Sequence, residues 1–529
     1  MSGLDHNPTD NHDPQPNPNP RSNPNPSPTP SPRPNPPGSP GGGRPPGGPG
    51  GERLAGRISR FDRKYRVDRT LTHAITRVTG EALGPYQSAV IRIGFAGTWL
   101  LFLLREFPHR EEMYGPDGPW SWDLAQQLIG SNHAFTALMW ADGQVWFGIV
   151  YALALLSSAL LMLGWRTRTM SVLFMIGVLS LQNRSVFMGD GGDNVIHLMA
   201  IYLVLTRCGQ VWSLDERRER RQRRERRARD ARARGARLGS DTVGVVAPGT
   251  VGAMAPDRVG ATGPDRVGAA GPDRVGAAGP DRVGAIGPDR VGPALWTVLG
   301  LALAAATLAG KIDGGFLGGW RAVYWGLWAI QGLWWLAGRY ARSVQPRIFL
   351  DVVANLVHNA ALFVIMAEAC LIYATAGWYK IQGSRWQDGT AVYYPLHLDY
   401  FSPWPALSDL LSASGTMVML VTYGTVIVQV AFPFTLFNRR AKNVLLAAMM
   451  TEHAVIAVVL GLPFFSLAMI AADAVFLPTS FLRRVGGRAA RAREGLFSRI
   501  GPTRTIPRPR KEPPRTPETA DHPPVGFTA

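Results

Sequence analysis

Residues 145–165 read VWFGIVYALALLSSALLMLGW and residues 417–437 read MVMLVTYGTVIVQVAFPFTLF, and neither run contains Asp, Glu, Lys or Arg. A helix needs about 20 apolar residues to cross the hydrocarbon of a bilayer, so each run is long enough to span. Apolar solvent leaves backbone amides no partner outside their own segment, which makes both runs helices rather than open strands. Working outward, eight further apolar runs follow, at 89–104, 169–181, 195–205, 294–308, 320–336, 352–378, 444–462 and 464–482. Together they predict an all-α fold, a polytopic membrane helical bundle of about ten spans with disordered tails and a disordered cytoplasmic insert.

The bulk composition conceals this. The chain has 529 residues, 46% of them hydrophobic, and a mean hydropathy of −0.01 that averages apolar blocks with Pro-, Gly- and Arg-rich ones. Such a distribution excludes a single soluble globular enzyme. The organisation expected is a disordered Pro/Gly-rich tail at 1–56 and a basic amphipathic segment at 57–85, in which Leu71, Ile75 and Val78 share a face. The first part of the membrane domain occupies 86–206 and the second part 294–482. Between them, 207–293 forms an Arg-rich, octapeptide-repeat cytoplasmic linker, and 483–529 is a basic, Pro-rich cytoplasmic tail. The start of the chain has neither a basic n-region nor an apolar h-region, so no cleavable signal peptide is expected.

The formal charge of +18 comes almost wholly from arginine, since only Lys64, Lys311, Lys380, Lys442 and Lys511 are lysine. Arg166 and Arg168, the run from Arg217, then Arg339, Arg342 and Arg347, then Arg439, Arg440 and Lys442, and finally Arg483 and Arg484 fall in alternate loops. The positive-inside bias makes those loops cytoplasmic, and predicts a multi-pass protein of the cell membrane with both termini in the cytoplasm. Twelve arginines between 217 and 237 invite a nucleic-acid reading, but no aromatic is interleaved for base stacking. Membrane lipids are the expected partner of this run, and no nucleic acid. The five octapeptides from Val251 to Arg290 (VGAMAPDR to VGAIGPDR) carry too few large apolar residues to bury and read as a spacer. The only cysteines, Cys208 and Cys370, fall at different depths, which excludes a disulfide.

Ionisable residues within spans are costly and mark either function or a polar lock between helices. His453 and Asp473 each lie ten positions from Pro463. At about 1.5 Å per residue, consecutive antiparallel helices would bring them to one depth, with Glu452 or Glu368 as a third member. Asn355 and His358 lie near the cytoplasmic end of the 352–378 run, and Asp193, Asn194 and His197 follow the glycines at 189–192. The sequence contains no HxxxH, HExxH, CxxC, GxSxG or Walker A pattern, so metal sites, hydrolases and NTPases lack support. Lys380 stands out because arginine is this chain's usual cation and would anchor a span end equally well. Lysine alone of the two can lose its proton when desolvated and act as a base, and a snorkelling interface lysine is the plain alternative. The preceding Ala376 and Gly377 allow a helix or a flat ligand to come close.

On these residues the chain resembles the horizontally transferred transmembrane domain (HTTM) family, related to the vitamin K-dependent gamma-carboxylases. The resemblance runs from about Arg92 to Leu482 and rests on Gly192-Asp-Asn-Val-Ile-His197, Trp212-Ser-Leu-Asp215, Ala376-Gly-Trp-Tyr-Lys-Ile-Gln-Gly-Ser-Arg-Trp386 with Asp388-Gly-Thr-Ala391, and Glu452-His453 before Phe465-Ser466. It implies a base at Lys380, because in the carboxylases a lysine after an Ala-Gly pair deprotonates a hydroquinone, which is then oxygenated to an epoxide. It further implies a menaquinol-like membrane quinol as cofactor, and helper roles for Asn194 and His197, here separated by two residues. The carboxylases carry a large non-cytoplasmic domain for their protein substrate, whereas this chain follows its last apolar run with a basic tail, so protein carboxylation is not implied. The rival expectation is a non-enzymatic membrane partner in peptide or toxin maturation or transport, with a peptide or protein partner in the membrane.

Overall fold

The computed structural model describes residues 71–242, 291–312, 319–341 and 343–500, and every regular element among them is helical. The expectations for 1–56, 57–70, the octapeptides and most of the final tail lie outside the described residues; of the basic segment, 71–80 is helical, with Leu71 and Ile75 exposed. The longer helices are α1 (Pro85–Arg105), α2 (Gln144–Leu163), α3 (Thr167–Arg184), α4 (Gly191–Val204), α5 (Leu214–Thr242) and α6 (Val291–Leu308). They continue as α7 (Gly319–Tyr340), α8 (Gln345–Gln382), α9 (Gly415–Ala431), α10 (Arg439–Val459), α11 (Pro463–Asp473) and α12 (Thr479–Ile500). Local signals set the ends: Pro85 and Pro463 open α1 and α11, Ser414 and Asn438 cap α9 and α10 through their side chains, and Gly164 closes α2 with φ of 74°.

All ten apolar runs fall on these helices, but fewer can each cross a membrane. Six helices are long and apolar enough: α1, α2, α6, α8, α9 with its 3-10 extension to Phe437, and α10. A seventh arises if α11 and α12, bent by 117°, form one broken span. The shortfall has local causes. α4 has 14 residues, about 21 Å, against a hydrocarbon core of about 30 Å. α3 carries Arg168, Gln182, Asn183 and Arg184, and α7 carries Arg321 and Arg339. The insert departs from the expected disorder over Leu214–Thr242, which is helical. Its glutamates sit one turn from arginines, pairing Arg220 with Glu216, Arg221 with Glu225 and Arg223 with Glu219.

α1 is the central helix, packed against α2, α4 and α11. Close approach is made through small residues. A methyl at Gly94 of α1 would lie 2.6 Å from Ala471 Cβ of α11, and one at Gly177 of α3 would lie 2.9 Å from Ala154 Cβ of α2. Helices α6 and α7 are held by a reciprocal pair: Trp296 and Trp328 stack at 4.2 Å, and each indole N–H donates to the other's carbonyl at 3.0 Å. Gly300 and Gly332 vacate the space those rings fill. Trp328 and Trp325 therefore serve packing, the latter donating to Thr307 Oγ1. Both cysteines are free.

Arg92, fully buried on α1, joins three segments. Its guanidinium donates to the carbonyls of Leu161 and Met162 at the C-terminus of α2, at 2.8 and 3.3 Å, and to that of Trp212 at 2.9 Å. The helix end supplies the negative pole that a buried cation needs. Asp215 in turn accepts from the backbone N–H groups of Arg166 and Thr167 at the start of α3. The Trp212–Asp215 motif is thus a structural clasp. Gly164 lies against the Arg92 guanidinium and Ser213, so a side chain there meets both strain and collision. Gly164→Ala is expected to destabilise the folded protein by about 2 kcal/mol or more, read as a lowered thermal midpoint in detergent, whereas Gly148→Ala, in open space, stays near wild type.

Candidate functional site

α8 is 38 residues long and, at about 1.5 Å per residue, about 57 Å. It presents three polar stations. Near its start, Asn355, His358 and Asn359 tie down the chain leading into α1: Asn355 Nδ2 donates to Thr79 O, Asn359 Nδ2 to Val78 O, and Leu83 N–H to Asn359 Oδ1. His358 Nδ1 accepts from the Arg207 backbone N–H at 2.9 Å, so the ring is neutral and its Nε2–H donates to Leu83 O at 2.8 Å. With both nitrogens occupied, His358 is a clasp.

The middle station is Tyr373, which is 2% exposed. Its hydroxyl bonds His453 Nε2 of α10 at 3.1 Å and lies within electrostatic reach of Asp473 at the end of α11, short of a hydrogen bond. His453 and Asp473 thus share one buried cluster, reached through Tyr373. Ser466, fully buried on α11, and both Asp473 oxygens, the His453 Nδ1 and the Ser466 hydroxyl have no hydrogen-bond partner among the described residues. Glu368 stands apart from this cluster: it is half-buried on α8, with no hydrogen bond or ion pair among the described residues.

The third station is Lys380, half-buried in the last turn of α8. Its Nζ donates to Gln429 Oε1 of α9 at 2.5 Å, and Gln429 Nε2 donates to Glu452 Oε1 of α10 at 2.7 Å. Because the amide Nε2 must face the carboxylate, Oε1 is fixed toward the lysine. The amine also lies over the Trp386 ring, 5.0 Å from its centroid. Gly377, one turn before, lets α8 close on Val430 of α9, which brings Gln429 within reach. Beyond the helix, Asp388 Oδ1 accepts from both the N–H and the hydroxyl of Thr390, which holds the exposed Asp388 carboxyl below its ordinary range, and Gly389 turns the chain with φ of 77°. The Asp388–Ala391 motif is therefore a turn that follows the short helix Ser384–Gln387, which carries Trp386.

His197 and Asn194 occupy a separate place. A capping box between Asp190 and Asp193 starts α4. Gln182 Nε2 donates to Asp193 O at 3.0 Å, which turns its Oε1 to His197 Nδ1, also at 3.0 Å. Both His197 and Asn194 line a cavity of about 120 Å³ with Tyr114, Gln182 and Asp193. Among the described residues, no hydrogen bond or ion pair joins Lys380 to either residue.

Gln429, Tyr373 and Gln182, which orient the three candidate groups, carry no sequence signal beyond a polar atom in an apolar run, and their partners come from remote segments. Buried Arg184, whose Nη2 donates to the carbonyls of Gly115 and Trp120, was equally silent.

His453→Leu leaves the buried Tyr373 hydroxyl without its partner and is expected to cost about 2 kcal/mol, whereas Asp473→Leu removes two unpartnered buried oxygens and should cost less; if the groups form one cluster, the double change departs from the sum of the two. Tyr373→Phe should cost about 1 kcal/mol for one lost hydrogen bond. Unfolding of the purified variants in detergent measures all four, and strict additivity would break the cluster into independent sites. Comparison with family models, with curated proteins and with solved structures returns no match.

Proposed function

We propose that the chain is a multi-pass HTTM-type membrane enzyme in which Lys380 serves as the base toward a lipid-soluble quinol, a reaction of the kind catalysed by the vitamin K-dependent carboxylases. The observation that carries this reading is the partner of the amine: Lys380 bonds a neutral amide oxygen, with the carboxylate of Glu452 one residue further on. A lysine serving only as an anchor gains most from a direct carboxylate or from water. Here Gln429 orients Nζ without fixing a positive charge on it, and leaves the Glu452 carboxylate as the acceptor at the end of a short hydrogen-bonded line.

The surroundings fit a flat, apolar hydroquinone. Trp386 flanks the amine, and Trp378 and Tyr379 present exposed rings on the same stretch of α8. When bound, the quinol supplies the electrons for reduction of dioxygen. Lys380 takes the hydroxyl proton, Gln429 holds the amine in register, and Trp386 excludes water from one side. The same reading includes about ten membrane-embedded segments, a disordered insert and tails, and both termini in the cytoplasm. Loops expected on the cytoplasmic side do converge, since Arg166, Arg168, Arg207, Arg218 and Arg347 line one cavity.

A second reading, a non-enzymatic partner in peptide maturation or transport, is favoured by the Tyr373–His453–Asp473 cluster. Its unpaired polar atoms, sealed from solvent, suit a helix lock or a proton relay.

Lys380→Met and Lys380→Arg are both expected to lower quinol oxygenation by the purified protein about 100-fold or more while leaving the unfolding midpoint near wild type. Arginine keeps the anchoring charge, so full turnover in Lys380→Arg would end the base assignment. For topology, reporters fused after Arg237 and after Arg484 should both score cytoplasmic, and an external signal from either would reverse the orientation.

A further inference from the structure

We infer that the large cavity between the α6–α7 hairpin and the rest of the bundle is a binding site for the phosphate headgroup of an acidic membrane phospholipid. The cavity measures about 750 Å³ and is walled by the start of α3, the loop after α4, the start of α8 and the facing ends of α6 and α7. Its lining divides by chemistry. Arginines at 166, 168, 207, 218 and 347 face acids at 215, 219 and 351, while Trp296, Trp334, Trp335 and Leu350 form an apolar wall.

The acids do not balance the arginines. Asp215 is committed to the N-terminal amides of α3, and Asp351 pairs with Arg207 at 3.3 Å. Arg347 is committed to the carbonyls of Ala337 and Gly338 at the end of α7. Arg168 differs from these: its guanidinium lies 4.3 Å from the Trp334 ring centroid and makes no hydrogen bond or ion pair among the described residues. A stacked guanidinium holds its donor edge in a fixed plane and matches phosphate oxygens in pairs. Arg207, already held by Asn355 and Asp351, stands beside it as a second cation.

The apolar wall decides between a free anion and a lipid. Trp335 is 42% exposed, and α7 also presents exposed Ile330, Leu333 and Leu336 at helical spacing, an apolar surface that suits an acyl chain. Indole rings beside a basic pocket at a helix end are the arrangement that interfacial headgroups favour. The site also has a structural use. The α6–α7 hairpin packs chiefly on itself and on α8, and a headgroup bound between Arg168 of α3 and the tryptophans of α7 would tie it to the bundle.

The test uses the full chain, purified and placed in nanodiscs of phosphatidylcholine with or without phosphatidylglycerol, with lipid retained through detergent exchange counted by mass spectrometry. Phosphatidylglycerol should be retained preferentially, and Arg168→Gln should reduce that retention about fivefold. Trp334→Leu, which keeps every charge, should reduce it as well, and provides the test if the arginine variant fails to fold. Arg229→Gln, on the exposed face of α5, should leave it unchanged. Equal loss from Arg168→Gln and Arg229→Gln, or unaltered retention in both cavity variants, would overturn the site. Inorganic phosphate that displaces the lipid at equal concentration would overturn the lipid assignment in favour of a soluble anion.

Discussion

Hydrocarbon offers no partner to a polar group, so each one carried into the bundle must be answered by another part of the same chain. α8 concentrates that constraint. Its three stations, Asn355 with His358, then Tyr373, then Lys380, are answered in turn by the segment before α1 together with Arg207, by α10, and by α9. Helices far apart in sequence are thereby fixed in depth against a single axis. The association of apolar faces alone would leave them free to slide, because lipid tails are as apolar as leucine.

The same constraint separates structural from chemical polar groups. Both terminal nitrogens of Arg92 and both ring nitrogens of His358 are engaged by backbone, and a change of protonation would break the clasp each makes. Lys380 is held by one side-chain amide whose orientation is set by Glu452, an arrangement that survives loss of the lysine's proton. Tyr373, His453 and Asp473 lie between these cases, buried like the first and incompletely paired like the second. Proximity of Glu452 and His453 in sequence places the relay and the cluster on adjacent faces of α10.

Much of the architecture was legible because it follows from composition over short windows. Every apolar run became a helix, and both His453 and Asp473, equally far from the turn at Pro463, are buried. The close approach suggested by Ala376 and Gly377 is made by α9 at Val430. What stayed hidden depends on pairing across the bundle. Tyr373 gave no sign that it bonds His453, and Gln429 gave none that it orients Lys380. Glu368 looked equivalent to Glu452 in sequence, yet it lies on another face of α8. Length within a run was also misleading: α4 has the composition of a span and stops after 14 residues, and the final run breaks between Phe476 and Thr479, where the chain bends by 117° into α12. The arginine run read as linker, but its glutamates at one-turn spacing make it a helix.

The central claim is that the amine held by Gln429 is a base for a quinol. Wild-type protein in nanodiscs, given menaquinol and isotopically labelled dioxygen, tests it most directly, with the extracted quinone analysed by mass spectrometry. The account predicts quinone epoxide carrying one labelled oxygen, formed only when quinol and protein are both present. Recovery of unmodified quinone alone, at the rate seen in empty nanodiscs, would contradict it.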